Sequence, residues 1–281
     1  MALQIVDRAE FSRLVEHEGP KIVAFARRAC GDGSDAEDIA QETFLRAFRS
    51  FDQLEDASHA RAWLFTIARR VCQRLHRKKS GEPGHFEPLE PLTELWPRPG
   101  ATVPDALSLH NEPFDSRTRS EARERVEAAI SDLPQPFRAV LVLADVAELS
   151  TAEIAAVLGI KEATAKTRLH RARLRIRAAL AEGLPQRPAP KPGHARTVCL
   201  DLLRAKLDAM DRHAPFPFSD QALCERCRIQ LGLLDFAGSV CASLREPTAL
   251  AELRRRLDLQ LDSTTAEPIK PRERTKPQAR A

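Results

Sequence analysis

Two clusters of proline divide this chain into three parts. Seven prolines lie between residues 80 and 117, at positions 83, 88, 91, 97, 99, 104 and 113, and four more lie at positions 185, 188, 190 and 192. A proline lacks a backbone N–H and fixes φ, so neither a helix nor a central strand continues through such a segment. The sequence therefore predicts extended linkers at residues 81–117 and 184–193.

Each part between the linkers has apolar residues at helical spacing. Composition agrees, because the 281 residues include only 11 Gly and no Tyr, while Ala, Leu and Arg are frequent. We predict an all-α protein with two small helical domains, at residues 1–80 and 118–183, and a helical module at residues 194–261. Residues 262–281 are polar and contain proline, which predicts a disordered tail.

Charge lies in three blocks along the chain. Residues 35–56 contain seven acidic side chains against two arginines. Residues 61–79 contain seven Lys or Arg and no acidic residue, and residues 161–177 contain seven Lys or Arg and one Glu. Solvated helix faces would explain any one block but explain the set of three poorly. The pattern indicates different partners for different faces.

Residues 150–177 predict a helix-turn-helix. Ser150 and Glu153 have the spacing of a capping box, and Gly159 supplies the left-handed turn that ends the first helix. The apolar stripe of the second helix consists of Ala165, Leu169, Ala172 and Ile176. A short helix, a glycine turn and a longer basic helix form the geometry that places a recognition helix in the major groove. A helical hairpin with a solvated basic face is the alternative.

Two separate regions resemble the extracytoplasmic-function family of RNA polymerase sigma factors. Residues 35–48, DAEDIAQETFLRAF, are similar to the family's polymerase-binding helix, and residues 62–70, AWLFTIARR, are similar to the helix that follows it. Residues 133–138 and 158–173 resemble parts of the family's promoter-binding domain. The order and the separation of these motifs match the family.

The resemblance covers residues 10–79 and 119–182 and implies a subunit that binds core RNA polymerase and directs promoter recognition and transcription initiation. It implies a polymerase contact on the acidic helix, at Asp38, Gln41, Glu42 and Arg46. It implies contacts of the following helix with the −10 element, for which the candidates are Arg61, Arg69, Arg70 and Arg74. It implies that the second helix of the helix-turn-helix reads the −35 element, with candidates Lys161, Thr164, Lys166, Thr167, Arg168, His170 and Arg171.

The six cysteines are predicted to be thiols or metal ligands. The chain has no apolar run of the roughly 20 residues that span a bilayer and no secretion signal at its start, which predicts a cytoplasmic protein without membrane association. Cysteines of cytoplasmic proteins are seldom in structural disulfides. We interpret Cys30 and Cys72, which lie in or beside apolar stripes, as small buried hydrophobic residues.

Cys224 and Cys227 form a CxxC motif, with Cys199 upstream. Thiolates spaced in this way can bind one zinc ion, which two further ligands would complete. The arrangement is loosely similar to a zinc-binding anti-sigma domain. Candidates for the fourth ligand are His194, His213, Asp220 and Cys241, and Asp220 occupies the position of a histidine in that domain. A metal or redox function and incidental cysteines in a helical hairpin both stay open.

The fused module suggests self-inhibition, and a separate anti-sigma factor is the other regulatory partner considered. The sequence contains no Ser/His/Asp set, phosphate-binding glycine loop or paired-carboxylate motif, so we predict that the protein is not an enzyme. No cofactor is required for promoter recognition, and zinc is the one candidate. Two other functions stay open: a stand-alone helix-turn-helix regulator, which the acidic helix at residues 35–48 argues against, and a metal-sensing protein whose basic helices only pack together.

Overall fold

The computed structural model describes residues 8–30, 35–51, 54, 56, 59–77, 102–105, 116–245 and 249–264. Its α-helices are α1 (Arg8–Ala29), α2 (Ala36–Arg49), α3 (Ala60–Arg77), α4 (Ser116–Asp132), α5 (Gln135–Leu141), α6 (Thr151–Leu158), α7 (Glu162–Glu182), α8 (Arg196–Asp211), α9 (Glu225–Ala242) and α10 (Ala249–Thr264). A π-helical turn at Val142–Val146 follows α5, and a 3-10 turn lies at Asp220–Ala222. The described residues also include two short strands, β1 (Thr102–Pro104) and β2 (Gln186–Pro188). The predicted all-α fold is confirmed.

The first three helices pack around a cluster of aromatic rings. Phe11 of α1 meets Phe48 of α2 edge-on, with ring centroids 5.1 Å apart, and meets Phe51 at 5.6 Å. Trp63 of α3 packs against Phe51 at 6.4 Å and is half-buried. Such edge-to-face pairs add to the stabilisation that burial of the rings supplies. Trp63 therefore packs at the edge of the core.

The helix-turn-helix forms where the sequence predicts it. The Ser150 backbone N–H donates to Glu153 Oε2 at 2.8 Å, and the Glu153 N–H donates to Ser150 Oγ at 3.3 Å, so the capping box begins α6. Gly159 ends α6 with φ of +66°, a backbone conformation that L side chains rarely adopt. The predicted stripe of α7 is buried: Ala165, Leu169, Ala172 and Ile176.

The two predicted linkers meet in a short antiparallel ladder. Thr102 is opposite Pro188, and Pro104 is opposite Gln186. We predicted that prolines exclude a central strand, and they are tolerated here because each strand of a two-stranded ladder is an edge strand. Val103 is fully buried with Ile229 and Leu233 of α9, so this part of the linker belongs to the core.

The C-terminal helices pack against both predicted domains. Helix α9 packs on α4, α7 and α8, and α10 packs on α1 and α2. Leu253 and Leu257 anchor α10 and are 3% and 2% exposed. Gly19 of α1 permits the close approach, because a Cβ there would lie 3.0 Å from Leu250 Cδ1. The first three residues of the predicted disordered tail, 262–264, are the end of α10, and the rest of the tail lies outside the described residues.

Candidate polymerase, promoter and thiol sites

The predicted polymerase contacts lie together on one face of α2. The opposite face enters the core through Ile39, Thr43 and Phe44, and the Thr43 hydroxyl donates to the Ile39 carbonyl at 2.6 Å. An open groove of about 460 Å³ runs along the outer face. All four candidates line it together with Leu45 of α2, two residues of α3 and one of α10: Asp38, Gln41, Glu42, Leu45, Arg46, Val71, Arg74 and Gln260.

Helix α10 lies over the acidic end of this face. Arg256 Nη1 is 3.1 Å from Asp38 Oδ1, and Arg256 Nη2 is 3.4 Å from Glu37 Oε2. Arg254 of the same helix pairs with Glu16 of α1. These pairs are solvent-exposed and contribute little to stability by themselves. These ion pairs orient α10, which is held in place by its own buried leucines.

Two of the four arginines of α3 that are predicted to contact the −10 element instead donate hydrogen bonds to other parts of this protein. The Arg61 guanidinium donates to Glu18 at 3.3 Å and to the Glu148 carbonyl at 3.0 Å. The Arg69 guanidinium donates to the Val157 carbonyl of α6 at 3.1 Å, and burial together with neighbouring Arg70 lowers its pKa. Arg70 and Arg74 are exposed. In this arrangement the helix-turn-helix packs on the helix predicted to meet the −10 element.

The middle of the predicted recognition helix is covered by α8. Lys166 Nζ lies 2.8 Å from Asp208 Oδ1, and His170 Nε2 lies 2.8 Å from Asp211 Oδ2. We expected His170 on an outer, DNA-facing side of α7, but it is 6% exposed. The reason is tertiary, because α8 supplies carboxylates that bury the imidazole. Lys161 and Thr167 are exposed, and Thr164, Arg168 and Arg171 are partly exposed.

Sequence reasoning missed Arg173, which lies at the centre of this contact. Its guanidinium donates to Asp145 at 2.7 Å and to Asp211 at 2.6 Å. Burial alone would lower the pKa of Arg173, but these two carboxylates outweigh it and raise the pKa. Burial likewise opposes the ionised form of Asp211, yet the contacts with His170 and Arg173 hold its pKa below the usual value. Arg173 follows Leu169 by four residues, so helical spacing already indicated its burial.

The cysteines of the CxxC motif meet Cys199 between α8 and α9. Cys199 Sγ and Cys227 Sγ are 3.6 Å apart, close to the roughly 3.8 Å that separates two sulfurs bound to one tetrahedral zinc ion. Burial and the neighbouring thiols Cys199 and Cys224 raise the pKa of Cys227. Cys224 is the N-cap of α9, and although burial opposes ionisation, hydrogen bonds from the Gly193 backbone and from Cys227 lower its pKa.

The predicted fourth ligands differ in their distance from this thiol cluster of Cys199, Cys224 and Cys227. Cys241 lies fourteen residues after Cys227 on α9, about 21 Å along the helix axis, so it belongs elsewhere. His213 follows the far end of α8, about 18 Å from Cys199 by the same measure. His194 adjoins the segment that contacts Cys224, and its Nε2 lies 3.2 Å from the Ala222 carbonyl oxygen. Asp220 begins the exposed turn before Cys224.

The donor set of the thiol cluster suits zinc, but its three sulfurs do not all lie within 4.8 Å of one another. Among the described residues, three candidate ligand atoms come that close in the group of His170, Asp208 and Asp211. That group already has cationic partners, because Lys166 pairs with Asp208 and Arg173 with Asp211. We therefore interpret it as an ion-pair network and keep the thiol cluster as the candidate metal site.

Cys30 and Cys72 differ from their predicted state. Both are buried, each 5% exposed, as the apolar stripes indicated. They are nevertheless joined as a disulfide, with Cα atoms 5.4 Å apart. Cys30 follows α1 and Cys72 lies on α3, 42 residues later, so local patterns could not show that they meet. No helix in the described part of the chain is long and apolar enough to cross a membrane.

Comparison with known proteins identifies two regions of the chain. The chain matches the sequence model of Sigma-70 region 2 over residues 14–82 and that of Sigma-70, region 4 over residues 123–176. It is 32% identical over 178 residues to the ECF RNA polymerase sigma factor SigW of Bacillus subtilis, which covers 63% of this chain and 91% of that protein. It is 33% identical over 172 residues to SigE of Mycolicibacterium smegmatis, which covers 61% of this chain and 62% of that protein.

Among solved structures, the sigma factor RpoE in complex with the anti-sigma factor NepR from Bartonella quintana aligns with a TM-score of 0.44 and 24% identity. That alignment covers 63% of this chain and 98% of the solved chain. Both matching sequence models end by residue 176, ahead of the second proline cluster. Helices α8, α9 and α10 thus lie outside the two matched regions.

Proposed function

This chain belongs to the extracytoplasmic-function family of RNA polymerase sigma factors, and we propose that its C-terminal helices hold it in a self-inhibited form. As a member of that family it binds core RNA polymerase and directs promoter recognition. The family consists of transcription initiation factors rather than enzymes. The proposal adds that α8, α9 and α10 act in cis on the partner-binding faces, in the cytoplasm where the polymerase is found.

We assign the polymerase contact to the outer face of α2 and the promoter contacts to the exposed basic residues of α3 and α7. The groove that contains Asp38, Gln41, Glu42 and Arg46 supports the first assignment, because all four candidates line one open surface. The exposure of Arg70 and Arg74, and of Lys161 and Thr167, supports the second. Lysine and arginine at such positions neutralise phosphates or reach guanine edges.

The observation that carries the proposal is that one C-terminal module reaches both faces. Asp208 and Asp211 of α8 pair with basic residues of α7, while Arg256 of α10 pairs with Asp38 of α2. A promoter phosphate would have to displace the α8 carboxylates, and a polymerase surface would have to displace α10. Both partners therefore compete with the same module for the sigma domains.

The contact between α7 and α9 buries a charged side chain. Arg177 of α7 is 4% exposed, and burial lowers its pKa to about 10. It donates to Gln230 of α9, which is also buried. Burial of this guanidinium carries a desolvation cost that exposure to water would remove.

We propose that the thiol cluster controls how the C-terminal module is held together. Cys199 lies on α8 and Cys227 follows the start of α9, so a link between them ties the two helices together. Helix α8 also carries Asp208 and Asp211, which cover α7. We propose that Cys199, Cys224 and Cys227 hold zinc, with His194 or Asp220 as the nearest further ligand, and that the ion supplies a structural cross-link. A redox-active thiol pair is the alternative.

The test removes α10 from α2 without altering the polymerase face. Leu253→Ala with Leu257→Ala deletes two buried anchors, each worth about 2–5 kcal/mol where packing cannot adjust. Leu259→Ala on the same helix is the matched control, because Leu259 is 72% exposed. We expect the double variant to bind core polymerase several-fold more tightly than the full wild-type chain, and the control to match wild type.

Hydrogen exchange should show release of α10 in the double variant and not in the control. If α10 is released and core binding stays unchanged, the module does not inhibit through α2. The alternative is that a separate anti-sigma factor is the regulator. In that case the purified wild-type chain should already be as active with core polymerase as the released variant.

A further inference from the structure

We infer that Cys30 and Cys72 form a redox-dependent brace inside the predicted polymerase-binding domain, a modification site distinct from the thiol cluster. Cys30 directly follows the last residue of α1 and continues its hydrogen bonding, with its N–H donating to the Ala26 carbonyl at 3.2 Å. Cys72 lies in the second half of α3. Their Cα separation of 5.4 Å falls in the range that an unstrained disulfide needs.

The brace encloses the helix that carries the polymerase face. The bonded cysteines are 42 residues apart in the sequence, and the loop they close contains all of α2. Helix α3 continues on both sides of Cys72 with Arg70 and Arg74, which are exposed. The bond thus connects α1 to the basic helix at the base of the α2 groove, where Val71 and Arg74 are lining residues.

Closure of this loop acts on unfolding rather than on the folded surface. A cross-link removes conformations from the opened chain, and the effect grows with the length of the loop. Opening of α2 away from α1 and α3 therefore becomes rarer when the bond is present. Both sulfurs are buried and leave the outer faces of α2 and α3 unchanged. Oxidation stabilises this domain and does not block its partner surfaces.

A peroxide is a sufficient oxidant. One thiolate attacks the peroxide oxygen and becomes a sulfenic acid, with release of hydroxide or water. The second thiolate then attacks that sulfur, so the S–S bond forms and the sulfenic oxygen leaves as water. In total two thiols and one hydrogen peroxide give one disulfide and two waters. Because both side chains are 5% exposed, the first step proceeds during local opening of the domain.

The thiol cluster gives an internal contrast. Cys199 and Cys227 approach to 3.6 Å without a bond, and they lie between α8 and α9 rather than within the first three helices. Cys241 is a free and fully buried thiol on α9. One chain therefore offers a braced pair, an open cluster and an isolated thiol, whose oxidation can be followed separately. The brace does not depend on the proposed self-inhibition.

The experiment uses the full chain, fully reduced and then divided between reductant and hydrogen peroxide. After alkylation in denaturant, trypsin places Cys30 in residues 29–46 and Cys72 in residues 71–74, so the linked peptide is identified by mass. We expect this linked peptide after peroxide. We also expect amide exchange in α2 and α3 to be at least about tenfold slower in the oxidised chain.

Cys30→Ala with Cys72→Ala should abolish the redox effect on exchange in α2 and α3, while Cys241→Ala should preserve it. If the double variant does not fold, the comparison of oxidised with reduced wild type decides the question. Alkylation of both Cys30 and Cys72 after peroxide would overturn the inference, as would oxidation to sulfinic acid without a link. A link that forms without slowing exchange would show that the bond does not brace the domain.

Discussion

Arg173 of α7 and Asp211 of α8 form an ion pair, Nη1 to Oδ1, at 2.6 Å, with side chains 4% and 6% exposed. The pair joins the helix predicted to read the promoter to a module outside the matched sigma regions. Asp145 holds the other side of the guanidinium at 2.7 Å. Opening the module leaves Arg173 with one carboxylate partner, so it does not strand a buried charge, which would be far more costly.

Removing the carboxylates of α8 should activate the protein. In Asp208→Asn with Asp211→Asn, Lys166 loses its ion-pair partner and Arg173 keeps Asp145. We expect transcription from a cognate promoter, measured with purified core polymerase, to rise several-fold because the recognition helix is freed. Asp201→Asn is the control, since Asp201 pairs with Arg204 within α8 at 3.0 Å. Unchanged transcription despite faster amide exchange in α8 would contradict this role.

Charge reversal on α2 should weaken binding to core polymerase. Asp38→Lys with Glu42→Lys changes one exposed and one partly exposed residue of the groove, and each surface substitution is expected to cost about 0.5 kcal/mol or less of folding stability. Because Asp38 also holds Arg256, the double variant should be made in the Leu253→Ala/Leu257→Ala chain, where α10 is already released. A pull-down with core polymerase measures the loss. Glu124→Lys on exposed α4 should bind normally, and equal binding by all chains would refute the assigned face.

Alanine substitutions on α7 should separate phosphate contacts from base contacts. Lys166, Arg168 and Arg171 lie on the predicted promoter-facing side, and we expect each alanine variant of the holoenzyme to lose promoter affinity. A phosphate contact would weaken binding to all sequences and reduce the salt slope by about one unit, whereas a base contact would cost about 1–3 kcal/mol and relax one promoter position. Salt titrations on promoter variants distinguish them. Full activity of the triple variant would show that another surface reads the −35 element.

Cys224 should be the most reactive thiol of the metal-free, reduced protein. The pKa of Cys224 is lowered, which favours its thiolate, whereas burial raises the pKa of Cys227 and Cys241. We expect iodoacetamide at pH 7 to modify Cys224 first, with a rate that rises with pH until Cys224 is ionised. Peptide mapping over a pH series measures the order. Faster labelling of Cys227 than of Cys224 would contradict the predicted order of reactivity.

The thiol cluster also predicts that the protein contains zinc and that loss of the zinc raises transcription. We expect about one zinc per chain by elemental analysis, lost with chelator and at acid pH because the thiolates must be deprotonated to bind. Cys224→Ser with Cys227→Ser should lack the metal and show higher transcription, since α8 is then no longer tied to α9. Cys241→Ser, distant on α9, should retain zinc. A metal-free wild type with transcription equal to that of the double variant would remove both the zinc site and its control.

Local patterns in the sequence were enough to predict the capped end of α6 and the apolar stripe of α7. Ser150 and Glu153 satisfy each other's backbone N–H groups across three residues, and Gly159 ends the same helix, so neither feature needs the rest of the chain. The family motifs are also continuous segments, so the helices predicted to contact polymerase and promoter were named without reference to the rest of the chain. The apolar stripe of α7 even indicated that Arg173 is buried, although we did not use that signal.

Tertiary structure alone decided which of these faces meet. The side chain of His170 lies on a basic helix and becomes buried because α8, about forty residues later, supplies Asp211. The cysteines at positions 30 and 72 face each other because the packing of α1 against α3 brings their Cα atoms to 5.4 Å. Periodicity reports which side of a helix is apolar but not which helix will cover it. Contacts between distant segments depend on how the whole chain packs, and that packing brought one module onto both sigma domains.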